Sequence, residues 1–240
     1  NPLDARRYAQ SVGQRGKTDR MDALVLARYI CHEHAHLQQW QPPTACQAAL
    51  RELLAHRATL VRQRSALAQA GCHNKALARL DEPVLAAMQQ AIAQIDEQLA
   101  STVQADPASQ EAFEYITSVP GLGLVCGSLL VMLFGRMQTR SADAVIAFTG
   151  LDPRPNDSGK KTGQRRLSKR GWPEIRRLMY TAAMSAARTK TWNSFYRAQR
   201  DKGLSTTAAL VVLARKLLRV AFSLFKKRVK FDATLVAASA

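Results

Sequence analysis

Ser158 is followed by Lys160, Lys161, Arg165, Arg166, Lys169 and Arg170 with almost no acids between them. A hydroxyl among that many cations suits attack on a phosphodiester. The attacking oxygen must lose its proton while negative charge builds on the phosphoryl oxygens, and fixed cations stabilise both. Gly159 would let a nucleic-acid backbone approach closely. The same residues also describe a solvated turn that grips phosphate without reacting, and residue types alone leave both readings open. A second constellation is Asp19 and Asp22 in KTDRMDA (17–23). Three residues apart on one helical face, they offer hard oxygen ligands to Mg²⁺. They equally suit a first helical turn, where acids meet the helix dipole and Thr18 or Asp19 caps. A third, CHEHAH (31–36), fits an exit from a helix better than a metal site, because no matching ligand pair follows it.

These groups need elements to hold them. The stretch 153–171 lacks hydrophobic periodicity and is dense in Gly, Pro, Asn and Asp, so it is expected to be a loop. Gly171-Trp172-Pro173 then signals a helix whose apolar positions Ile175, Leu178, Met179, Ala182, Ala183 and Ala186 recur at helical spacing. Upstream, 44–80 reads as one long helix that Asp81-Glu82-Pro83 should break. A second follows from Val84, with Met88, Ile92, Ile95, Leu99 and Val103 spaced as in a coiled-coil seam. It suits either a hairpin packed on its own domain or an oligomerisation arm. Pro120, Gly121 and Gly123 precede an apolar helix and resemble a helix-hairpin-helix turn, which offers backbone amides to phosphate; a plain tight turn is the alternative. Ser141 should cap a short helix delivering the chain to the serine loop. Helices are expected over 193–200 and 205–227, broken at Gly203. Trp192, Phe195 and Tyr196 could stack on bases but at this spacing suit a core. From Val229 the chain thins into Ala and Ser, and the tail is expected to be mobile.

The whole chain sets limits on partners. Its 240 residues are 47% hydrophobic with three Trp, which allows a real core, and the formal net charge is +17. With a pI near 10.4, that charge points to nucleic acid ahead of an anionic membrane. The most apolar stretch, 208–225, is interrupted by Arg215, Lys216 and Arg219, which suits a buried amphipathic helix and no membrane partner. Cys31, Cys46, Cys72 and Cys126 are scattered without zinc spacing and read as reduced thiols of a cytoplasmic protein.

Six segments occur here in one order: KTDRMDALVLARY (17–29), VPGLG (119–123), GLDPRPNDSGKK (150–161), SKRG (168–171), IRRLMYTAAMSAAR (175–188) and ARKLL (214–218). Together they closely resemble the DEDD transposases of bacterial insertion sequences, a family related to Piv-type site-specific invertases that includes bridge-RNA-guided serine recombinases. The resemblance implies that Ser158 is the nucleophile joining covalently to DNA. It also implies that Asp19 and Asp22 are the last two members of an acidic tetrad that binds Mg²⁺. The tetrad's first Asp and its Glu would lie on earlier strands of a RuvC-like domain, and no stretch before Lys17 could hold them. The sequence is therefore expected to be N-terminally truncated, to bind Mg²⁺ weakly and to be inactive alone. Further implied are an element-encoded guide RNA, a homo-oligomer (dimer or tetramer), and a bacterial, nucleoid-associated location.

The expected fold is mainly α. Residues 1–43 would be the C-terminal remnant of the RuvC-like (ribonuclease-H-type) DEDD domain, and 44–108 a coiled-coil helical hairpin. Residues 109–228 would be an all-helical serine-bearing transposase domain with a helix-hairpin-helix-like element and a basic loop, followed by a flexible tail, 229–240. The expected function is DNA transposition or site-specific recombination. Ser158 would act with Asp19 and Asp22, while Lys160, Lys161, Arg165, Arg166, Lys169, Arg170, Gly121 and Gly123 would contact DNA. Two other readings remain: a non-catalytic DNA-binding fragment, supported by the charge and the half tetrad, and a metal-dependent resolvase-type nuclease in which Ser158 only grips phosphate.

Overall fold

Thr18, in extended conformation, accepts a hydrogen bond from the Met21 amide at 3.2 Å and so starts a helix. That helix, α2 (Asp19–Glu33), follows α1 (Pro2–Ser11), which lacks a clear sequence signature; the Tyr8 and Tyr29 rings join the two at 4.9 Å. The computed structural model describes residues 2–37, 40–137, 140–155, 157–159, 163 and 165–234. Within these, α1 and α2 belong to one compact unit, 1–42, and everything that follows to a second, 43–240.

The second unit opens on a helical hairpin. α3 (Ala45–Gly71) starts at a capping box made by Thr44 and Gln47. α4 (Lys75–Gln104) starts at Asn74, whose side chain accepts from the Ala76 and Leu77 amides at 3.0 and 3.3 Å. The break thus falls at 72–74 and not at 81–83 as the sequence suggests. Pro83 sits inside α4. It removes one hydrogen bond, but Pro83 and Arg79 are both exposed, so water can satisfy the freed carbonyl. Burial of Ile92, Ile95, Leu99 and Val103 further along the same helix outweighs that loss. Arg57 of α3 grips Asp96 of α4 with two hydrogen bonds, 2.6 and 3.0 Å, across the pair. Of the expected seam only the first residue, Val84, is exposed, at 47%; Leu77 and Leu80, nearer the turn on the same helix, are 49% and 74% exposed.

Then come α5 (Pro107–Thr117), α6 (Leu124–Gly135) and α7 (Ala142–Thr149). A two-stranded antiparallel ribbon, β1 (Pro153–Arg154) with β2 (Arg166–Leu167), follows, and then α8 (Pro173–Ala186), α9 (Lys190–Asp201) and α10 (Thr206–Lys227). Every residue of α6 from Cys126 to Phe134 is buried, so this helix is the axis of the core. Phe134 meets Phe222 edge-on at 5.0 Å and Phe225 at 5.5 Å, which fixes α10 against it. Leu50, Leu54, Ile95 and Leu99 join the same core as Leu129, Met179 and Leu217. Residues of 44–108 and of 109–228 thus contribute to one core within the second unit. All six apolar positions expected for α8 are buried. Ser141 caps α7 as expected, and Ser205 caps α10, each through a 3.2 Å bond from the third residue of its helix.

Within the expected tail, Lys230 and Phe231 are held in place, and residues 235–240 lie outside the described residues. Phe231 packs on the fully buried Trp192 at 5.7 Å, its amide donates to Ser118 Oγ at 2.8 Å, and Lys230 pairs with Glu114 at 3.2 Å. Trp192 is thus committed to the core and not to base stacking. No helix among the described residues is long and apolar enough to cross a membrane.

Candidate functional site

α7 ends because Gly150 takes a left-handed conformation, φ +72°, and turns the chain out of the core. Leu151 stays buried, and Asp152 then holds the returning strand: its carbonyl accepts from the Ser168 amide at 2.9 Å, and its carboxylate accepts a short hydrogen bond from Ser168 Oγ. Pro153 pairs with Leu167 and Arg154 with Arg166. The stretch expected to be a plain loop is therefore a short β-ribbon, whose two-residue strands are too brief to carry a period-two pattern.

Ser158 lies beyond the paired strands and is exposed; Gly159 beside it has φ +55° and open space around its α-carbon. Asp157 braces this end. One carboxylate oxygen accepts from the Gly163 amide at 3.1 Å and the other from Arg165 Nη1 at 2.8 Å. Arg165, Arg166, Lys169 and Arg170 are all exposed on the returning side. Lys160 and Lys161 lie outside the described residues.

The two ends of the ribbon cross at close range. A Cβ on Gly150 would stand 2.2 Å from the Arg170 carbonyl oxygen, and one on Gly171, at φ +79°, would stand 2.3 Å from the Phe148 carbonyl oxygen. Arg176 of α8 bridges the crossing, donating from Nη1 to the carbonyls of Thr149 at 3.0 Å and Arg170 at 2.7 Å, with Gly171 at 3.5 Å. Next to it, Arg177 forms a two-pronged pair with the buried Glu174, which raises the guanidinium's pKa above its ordinary value. On α10, burial and the neighbouring Arg219 lower the Arg215 pKa, while Asp143 and Asp152 oppose that shift. Asp152, Asp157, Ser168 and Arg176 were not singled out from sequence. Their roles depend on partners from 5 to 27 residues away, and in sequence Arg176 reads as one more cation on the polar side of a helix.

The other expected site residues divide. Asp19 is exposed in the first turn of α2; Asp22 is half-buried and accepts from Gln14 Nε2 at 3.1 Å. Among the described residues no three His, Cys, Asp or Glu side chains form a group able to hold a metal, and that includes the 31–36 histidine run. Gly121, at φ +100°, faces Ala186 so closely that a Cβ would lie 2.6 Å from the alanine's own, so packing of α8 accounts for this glycine. Gly123 is exposed, with nothing within 4 Å of an added Cβ. A groove of about 950 Å³ lined by Cys46, Thr102, Asp106, Ser109, Val131 and Phe225, among others, shares no residue with the ribbon.

Burial pushes the Cys126 thiol up to about 11, and its sulfur lies 3.5 Å from the Leu178 carbonyl under α8. Thiolate is the reactive form. At pH 8, iodoacetamide is expected to label the exposed Cys31 and Cys72 and to reach Cys126 only after denaturant unfolds the chain, as mass spectrometry of tryptic peptides would read. Labelling of native Cys126 at the rate of Cys72 would mean that α8 does not seal this face.

Comparison with known proteins gives two family matches. Residues 113–197 match the profile of the transposase IS116/IS110/IS902 family, and residues 1–72 match a second transposase profile, the DEDD domain of IS110. The pilin gene-inverting proteins of Moraxella lacunata and Moraxella bovis are each 27% identical over 240 aligned residues, covering 97% of this chain and 73% of theirs. An uncharacterized 44.8 kDa protein of insertion element IS116 from Streptomyces clavuligerus is 30% identical over 146 residues, 60% of this chain and 36% of its own.

Proposed function

Because the chain belongs to the IS116/IS110/IS902 family of transposases, we propose that it moves DNA strands through Ser158. Ser158 Oγ attacks a DNA phosphorus, the bond from that phosphorus to the leaving strand's oxygen breaks, and the leaving oxygen takes up a proton. A second strand's hydroxyl then attacks the phosphoserine and releases Ser158 Oγ, so the phosphodiester bond energy is conserved without a nucleotide cofactor. The observation that carries this reading is the exposed Ser158 beyond a braced ribbon whose returning side presents Arg165, Arg166, Lys169 and Arg170. Those cations hold the phosphate and offset the charge that develops on it.

Asp19 and Asp22 would supply two carboxylates to a Mg²⁺ ion, which when bound would polarise the reacting phosphate. Two carboxylates in one helical turn suit such an ion but hold it weakly, so this 240-residue chain alone binds DNA and does not cut it. Oligomerisation completes the site; the exposed Leu77, Leu80 and Val84, at helical spacing on α4, support the hairpin as the oligomerising arm. An element-encoded RNA would choose the sequence, since cations on a ribbon suit phosphates and not base edges.

The match of residues 1–72 to a DEDD domain favours a second reading, metal-dependent hydrolysis in a RuvC-like centre with Ser158 only gripping phosphate. The experiment mixes the chain, alone and with a DEDD domain added in trans, with Mg²⁺ and labelled element-junction DNA, and looks for a protein–DNA adduct that survives denaturation. Ser158→Ala is expected to abolish the adduct while DNA affinity changes less than about twofold, since one neutral hydroxyl contributes little to binding a polyanion. Strand cleavage without any adduct, reduced only modestly by Ser158→Ala, would establish the hydrolytic reading. Binding alone would leave a DNA-binding fragment.

A further inference from the structure

Arg176 carries a role that its place in the sequence does not suggest. It lies in the first turn of α8, on a half-buried position, yet its hydrogen bonds go to the carbonyls of Thr149, before the ribbon, and of Arg170 and Gly171, after it. Among the described residues its recorded hydrogen bonds go to these carbonyls and to no carboxylate. The crossing it spans is already tight, with Gly150 and Gly171 leaving no space for a side chain. Arg170, whose carbonyl it holds most closely at 2.7 Å, and Lys169 are themselves two of the ribbon's exposed cations.

We propose that Arg176 is the positioning residue of the serine ribbon, tying its two ends together so that Ser158 and the cations on its returning side face one DNA phosphate track in a fixed arrangement. The role is indirect, because the Nη1 protons of Arg176 are spent on carbonyls and not on DNA. Rigid placement matters here because cations that must be ordered at the moment of binding lose side-chain and backbone entropy, and those already held do not. The proposal rests on the DNA-joining reading above and assigns its geometry to a residue outside the ribbon. A plain helix cap on α7 is the competing explanation of the same bonds.

DNA binding by the 240-residue chain separates the two. Log affinity for a duplex falls with log salt by about 0.9 per phosphate contacted. Arg166→Ala should therefore lower the slope by about one contact. Arg176→Ala is expected to lower it by more than two, because several cations lose their register together, and to weaken binding at least tenfold at low salt. Arg176→Lys, which keeps the charge and part of the carbonyl bonding, should recover part of the slope. Trypsin cleavage after Arg165, Arg166, Lys169 or Arg170 should rise at least fivefold in Arg176→Ala with the melting transition in place. Should the alanine variant fold poorly, Arg176→Met keeps the buried stem and is read the same way. A slope that falls by one contact or none, with the fold intact, overturns the proposal and leaves Arg176 as a cap or a single phosphate contact. Failure of the unsubstituted chain to bind duplex DNA at all would instead remove the proposed function on which it rests.

Discussion

Gly150→Ala is expected to destabilise the chain by about 3 kcal/mol and to unfasten the serine ribbon from the core. Two costs add at one residue. Gly150 sits at φ +72°, where an L-residue pays about 1–2 kcal/mol for the contact between its Cβ and its own backbone. The new Cβ would then stand 2.2 Å from the Arg170 carbonyl oxygen and 2.5 Å from the Arg170 amide nitrogen. Both are backbone atoms that cannot rotate away, and such overpacking costs about 1–3 kcal/mol. The relief available is to push Arg170 outward, which breaks the Lys169 amide bond to the Gly150 carbonyl and the hold of Arg176 on Arg170. Urea unfolding would give the stability change, and trypsin sensitivity at 165–170 the local one. Gly171→Ala should behave alike, because its Cβ would meet the Phe148 carbonyl oxygen at 2.3 Å. Both substitutions strain one crossing, so the double variant should lose less than the sum. A loss below about 1 kcal/mol in either single variant would mean that the crossing yields easily, and the ribbon would then have no fixed base from which to present Ser158.

The helices were legible where burial repeats at helical spacing. α8 shows this best: Ile175, Leu178, Met179, Ala182, Ala183 and Ala186 were placed on one face from sequence, and all six are buried. The hairpin was legible as two helices but not in its turn. Pro83 looked like a stop because proline disfavours helix interiors, yet Asn74 provides the cap and the exposed backbone at Pro83 lets the helix pass through. The candidate site was legible as a set of residue types: an isolated Ser-Gly followed by cations. Its architecture was not. Two residue pairs of β-structure leave no pattern to read, and the Asp152–Ser168 bond, the Asp157 brace and the Arg176 bridge each join positions whose nearness only the folded chain creates.

The turn between α5 and α6 shows how residue type can suggest one role while packing supplies another. Gly121 and Gly123 look alike in VPGLG, and both suit close approach of a phosphate. Their surroundings differ. Gly121→Ala is expected to cost about 3 kcal/mol, since it combines φ +100° with a Cβ 2.6 Å from that of Ala186 and 3.0 Å from its Cα. Ala186 is fully buried on α8, so the strain can be relieved only by moving a core helix away from the turn. Gly123→Ala meets nothing within 4 Å and keeps an extended backbone, φ −100° and ψ −167°. It should stay within about 0.5 kcal/mol of the parent, like other surface substitutions free of special contacts. Measured side by side by urea unfolding, the pair separates a glycine required by helix packing from one that packing does not explain. If Gly121→Ala kept the parent stability, α8 would not press on this turn, and the glycine would again need an explanation from outside the fold, with a DNA backbone first in line. If it fails as expected, Gly121 serves the core, and among the two glycines only Gly123 has its backbone open to a partner.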